Sequence, residues 1–114
     1  MNIFKSNDTL IQILKKSCTI IDCYEPIARH DIDLLFGGRN LYGNKIIGFL
    51  VDEEFNYRYY KFLFIEISDQ DYIKLLTKEI ELVEIINKNK FIFVRIDDDD
   101  KSEYQLLLTE DYLN

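Results

Sequence analysis

The reading of the chain turns on Lys45-Ile46-Ile47-Gly48-Phe49-Leu50-Val51, the polar tip Asp52-Glu53-Glu54-Phe55-Asn56, and then Tyr57 to Ile67, Tyr-Arg-Tyr-Tyr-Lys-Phe-Leu-Phe-Ile-Glu-Ile. Two runs rich in β-branched and aromatic residues, separated by about four to five polar residues, read as a β-hairpin. The second arm is apolar at both parities. Tyr57, Tyr59, Leu63, Ile65 and Ile67 fall on one face, and Tyr60, Phe62 and Phe64 on the other. Side chains alternate across a strand, so a strand that is apolar on both faces is central and covered on both sides. The flanking segments must supply that cover.

Downstream, Ser68-Asp69-Gln70-Asp71 reads as a helix start. Ser68 can cap, and Asp71 can reach back in the manner of a capping box. Tyr72, Leu75 and Leu76 then repeat at i, i+3, i+4, and Leu82, Ile85 and Ile86 do so again within Glu81 to Asn87. Phe91 to Ile96 and Tyr104 to Leu108 read as two further strands, with an aspartate run at the turn between them. Upstream, Leu10, Ile13 and Leu14 place a short helix over Thr9 to Lys16, with Asn7 or Asp8 as its cap. Cys18 to Tyr24 reads as a strand that Glu25-Pro26 ends, because proline has no N–H for a ladder. Gly37-Gly38-Arg39-Asn40 reads as a tight turn. The sum is one compact α+β domain over residues 1–114: an antiparallel sheet of about five strands with two or three short helices packed on it.

Composition agrees with one folded domain. The chain has 114 residues, 47% apolar and 31% charged, enough apolar surface to offset chain entropy. No apolar run approaches the roughly 20 residues that span a bilayer, and the N-terminus lacks the pattern of a secretory signal, so no membrane is expected and a cytoplasmic setting is. Ile occurs 17 times and Ala once, a codon bias typical of a low-GC bacterium or its phages. Cys18 and Cys23 fall on opposite faces of an extended segment, which makes a bridge between them awkward and favours reduced thiols. Two cysteines and the distant His30 fall short of the roughly four ligands of a zinc site, so neither metal nor cofactor is expected.

Charge is lopsided. Residues 1–96 carry 13 basic and 14 acidic groups, a net of −1, whereas residues 97–114 carry one basic and seven acidic groups, a net of −6. Asp97, Asp98, Asp99 and Asp100 stand in a row within an acidic hairpin turn over residues 97–103. Adjacent carboxylates repel one another, so they require solvent or a cationic partner. A solvated turn satisfies them; so does docking on a basic protein. An EF-hand loop is disfavoured because no glycine stands where its sharp turn needs one. A field of this sign also opposes direct binding of nucleic acid.

Other candidates are sparser. His30 beside Asp31 has the make-up of an acid/base pair, without an evident nucleophile or metal to work on. The Gly37-Gly38-Arg39 turn has backbone N–H groups and a guanidinium for an anion, but neither GxxxxGK[ST] nor GxGxxG is present. Phe55, Tyr57 and Tyr59, near the hairpin tip, have the amphipathic rings that anchor protein interfaces, and strand packing is the competing use of them.

From Ile21 to about Ile96 the chain weakly resembles a family of uncharacterised bacterial domains. The resemblance lies in Tyr24-Glu25-Pro26 after a strand, Asp33-Leu34-Leu35-Phe36, the turn at Tyr42-Gly43, the strand pair, Phe64-Ile65-Glu66-Ile67-Ser68 leading into a capped helix, and the short apolar helix from Glu81 to Ile86. The proline usual near the Leu-Phe pair is missing. The resemblance implies a compact α+β domain and no activity.

The expectation is therefore a small acidic, non-enzymatic protein that binds another protein. It would be an inhibitor or neutraliser, antitoxin-like or of the phage anti-defence type, steered by Asp97–Asp100 to a basic surface and anchored by Phe55, Tyr57 and Tyr59. The alternatives are a small-ligand binder or enzyme built on His30, Asp31 and the Gly37-Gly38-Arg39 turn, and a structural homodimer joined through a sheet edge.

Overall fold

A computed structural model of the chain describes residues 3–54 and 58–113, with side chains described over 9–54 and 58–111. Its centre is one six-stranded antiparallel sheet in the order β1-β2-β3-β4-β5-β6: Ile20–His30, Ile32–Asn40, Lys45–Glu54, Tyr59–Glu66, Phe91–Asp98 and Lys101–Leu108. Helix α1 (Ile3–Ser17) precedes the sheet, α2 (Asp69–Leu76) and α3 (Leu82–Lys88) lie between β4 and β5, and α4 (Thr109–Leu113) follows β6. The expected class is present, with one strand and one short helix more.

The hairpin that decided the reading pairs β3 with β4 in the register Ile46↔Glu66, Gly48↔Phe64 and Leu50↔Phe62. Leu63, Phe64 and Ile65 are fully buried, so β4 is covered on both sides at its centre. Burial of such side chains contributes roughly 1.5–3 kcal/mol each. One face carries Ile47, Leu63, Ile65, Ile92 and Val94 against Tyr72, Ile80, Ile85 and Ile86 of the α2–α3 excursion. The opposite face carries Phe36, Ile46 and Phe64 with Cys18 at the end of α1, and α1 itself packs on β5 and β6. Ser68 caps α2 by accepting from the N–H of Asp71, as its sequence requires, but the Asp71 carboxylate turns to Lys88 Nζ at 3.1 Å instead of completing a capping box.

Three expectations are corrected. Gly37 to Asn40 do not turn the chain; they are the end of β2, and the turn follows at 41–44. The glycine is needed for space: a Cβ on Gly37 would stand 2.5 Å from the Tyr72 ring, which lies directly over the strand. Nor does Pro26 end β1, which continues to His30. β1 is an edge strand with repeated register shifts, and a missing N–H there forfeits no ladder bond when it faces solvent. The helix placed over 9–16 is longer at its start, spanning 3–17, and leaves Leu10 and Ile13 exposed while burying Leu14.

Candidate binding surface

An antiparallel meander returns every other connection to the same end of its sheet. Here the β1–β2, β3–β4 and β5–β6 turns share one end, while α1, the 41–44 turn, and the links to α2 and from α3 lie at the other. The acidic run is consequently not an isolated tip. Across β4 and β5, Tyr59 stands opposite Asp98 and Tyr60 opposite Asp97; across β3 and β4, Glu54 stands opposite Tyr59 and Asp52 opposite Lys61. Asp31, Asp52 and Glu54 from two other hairpins thus join Asp98, Asp99 and Asp100 at one exposed edge.

The four aspartates are not equivalent. Asp97 is half-buried: its carboxylate accepts from Arg95 Nε at 3.2 Å and from the Ser102 hydroxyl at 2.8 Å. Asp99, at a positive φ in the turn, faces Arg58 at 3.8 Å across open solvent, a contact of small energetic value. Asp98 and Asp100 are exposed and form no ion pair among the described residues. Tyr59 is half-buried beside Asp98. Phe55 and Tyr57 lie outside the described residues.

The residues of the ligand-binding alternative are not brought together. His30 is exposed at the acidic end beside Asp31, whereas Gly37 lies about 20 Å further along β2 at some 3.3 Å per residue. Arg39 is engaged with the Gly43 carbonyl and the Asp69 carboxylate, both at 3.1 Å.

Sequence reasoning missed a second feature, on the face opposite α2 and α3. There a cavity of about 540 Å³ opens between β1, β2, β4 and β5, walled by the rings of Tyr24, Phe36, Tyr60, Phe62 and Phe64. Gly48 makes the wall possible, since a Cβ there would meet the Phe36 and Phe64 rings at 2.6 and 2.7 Å. The Arg95 guanidinium lies 5.0 Å from the Phe62 ring centre and 5.2 Å from that of Phe64, with Nη1 donating to the Cys18 carbonyl at 3.4 Å. Opposite it, the Tyr24 hydroxyl donates to Asp33, whose other oxygen meets Arg29 Nε at 2.7 Å. Burial, and then the Asp33 carboxylate, push the Tyr24 hydroxyl up to about 12. Burial likewise pushes the Cys18 thiol up to about 12 against the opposing pull of Arg95, so it is held as a protonated thiol. The one local signal for this site was the parity pattern: Arg95 shares a strand face with Phe93, and cross-strand pairing sets it beside Phe62.

Compared with known protein families, curated proteins and solved structures, the chain matches none. Among the described residues no helix is long and apolar enough to cross a membrane, and no group of three metal-ligating side chains assembles.

Proposed function

We propose that the protein is a non-enzymatic binding module, an inhibitor or neutraliser of the antitoxin-like or phage anti-defence type. In this reading it docks its acidic end on a basic surface of another protein, in a cytoplasmic setting. One observation supports it above the others: the strand order adds Asp31, Asp52 and Glu54 to the exposed Asp98, Asp99 and Asp100, so the negative field comes from three hairpins. Clustered charge of one sign steers association with a complementary surface and raises its rate. Tyr59 stands at the same end and, with Tyr57 and Phe55 in this reading, would supply the apolar contact that charge alone does not. A partner whose basic groove ordinarily holds nucleic acid would meet carboxylates in place of phosphates.

The test begins with affinity capture from the native cell by the wild-type chain and by Asp98→Asn/Asp99→Asn/Asp100→Asn, followed by association kinetics with the purified captured protein. The triple variant is expected to associate about tenfold more slowly at low salt, with a flatter dependence on ionic strength. Equal rates and equal salt dependence for the two chains would remove the electrostatic mechanism.

A further inference from the structure

We propose that the aromatic cavity is a binding site for a flat, uncharged ring that carries hydrogen-bond acceptors on one edge, the chemistry of an aromatic amide or a free nucleobase. This site is separate from the acidic end's docking role and stands or falls without it. Its volume of about 540 Å³ is within the range of small-molecule pockets, roughly 300–1,000 Å³. Its walls are ring faces and edges, with Phe36 at 5.8 Å and 70° to both Phe62 and Phe64, which suits a further ring in offset or edge contact.

The polar groups decide which ring. The Asp97 carboxylate is occupied by Arg95 and Ser102, and Asp33 Oδ2 by the Tyr24 hydroxyl; Asp33 Oδ1, ion-paired with Arg29, is buried without a hydrogen-bond partner among the described residues. Arg95 itself has donors to spare. A guanidinium carries five N–H groups; Nε serves Asp97 and Nη1 serves the Cys18 carbonyl, while Nη2 has no acceptor among the described residues. The cavity therefore holds an open donor at Arg95 Nη2 and an open acceptor at Asp33 Oδ1, and a ligand must bring an acceptor to the first and can offer an N–H to the second, as an amide or a nucleobase edge does.

Charge narrows the class further. An anion would lie beside the Asp33 and Asp97 carboxylates that line the cavity, and a cation would have to lie beside the Arg95 guanidinium. A neutral carbonyl or ring nitrogen avoids both penalties and meets Nη2 in a partly desolvated setting, where such a bond is worth more than in water.

The full-length chain, labelled with ¹⁵N, would be titrated with nicotinamide, uracil and nicotinate, the last differing from the first mainly in charge. Nicotinamide is expected to shift the amides of Ile20, Phe36, Phe62 and Arg95 with an affinity at least about tenfold above that of nicotinate. Matching shifts with uracil assign a heterocyclic base edge, and shifts with nicotinamide alone assign an aromatic amide. Arg95→Met should abolish the neutral-ring shifts. Phe62→Leu, which keeps the guanidinium and shortens one wall, should weaken them by about fivefold and decides the matter if Arg95→Met fails to fold. The proposal is overturned if nicotinate binds as tightly as nicotinamide, if neither neutral ring shifts these amides at about 10 mM, or if binding is unchanged in the folded variants.

Discussion

Arg95 Nε donates to Asp97 Oδ2 at 3.2 Å, joining two residues that point from the same face of β5. The bond withdraws one of four consecutive aspartates from solvent and hands it a structural task, leaving the other three at the exposed edge. Asp97 is thereby part of the aromatic cavity wall, and Asp98 to Asp100 are part of the acidic end.

That division gives different outcomes for the same substitution. Asp97→Asn exchanges a charge-assisted bond for a neutral one and leaves the Arg95 guanidinium uncompensated over Phe62, so it should lower unfolding free energy by about 1–2 kcal/mol. Asp98→Asn removes an exposed charge from a repulsive cluster and should stay within about 0.5 kcal/mol of wild type. Urea unfolding of both variants makes the comparison, and equal effects would contradict the separate roles.

Gly37 is held by the ring above it. A methyl group there would stand 2.5 Å from Tyr72 Cε1, so Gly37→Ala should destabilise the chain by about 1–3 kcal/mol through displacement of α2. Combining it with Tyr72→Leu should cost less than the sum of the two single changes, because the contact is shared. A double-mutant cycle by thermal unfolding measures the coupling; strict additivity would mean that the close approach is not what demands glycine.

The two thiols should react at very different rates. Cys23 is exposed, whereas Cys18 is buried at the end of α1, where burial pushes its thiol up to about 12. At pH 8 the folded chain should take up one equivalent of iodoacetamide, at Cys23, and a second only on unfolding. Peptide mapping of the alkylated protein identifies the site, and rapid labelling of Cys18 in the native state would contradict its burial.

Stability should fall in alkali. In the folded chain burial raises Cys18 from its ordinary 9.0, and burial together with the bond to Glu25 raises Tyr72 above its ordinary 10.0. Above those ordinary values the unfolded chain releases protons that the folded chain retains. The contribution is therefore complete below about pH 9 and is lost as pH climbs through 9 to 12 and beyond. Tyr72→Phe should cost about 1 kcal/mol near neutral pH through loss of the 2.7 Å bond to Glu25, and should lessen the alkaline decline. Urea midpoints between pH 7 and 11 test both statements, and a flat profile in wild type would refute them.

Much of the fold was legible locally. The two apolar parities of 57–67 announced a covered central strand, and Ser68 with the Tyr72-Leu75-Leu76 stripe announced α2, because propensity, period and capping all act within a window of a few residues. Gly37 and Pro26 misled for one reason. Each permits several backbone roles, and the choice between a turn and a close approach, or between a strand's end and its continuation along an edge, depends on what lies across the sheet. The chain alone thus determined the α+β class, the β3–β4 hairpin and the surplus of negative charge near its C-terminus. Only the tertiary structure decided that three hairpin turns share an end, that Asp97 serves Arg95 while its neighbours face outward, and that Arg95 stands over Phe62 and Phe64 in an aromatic cavity. These relations join residues tens of positions apart, and strand order and register, set by packing of the whole core, bring them together.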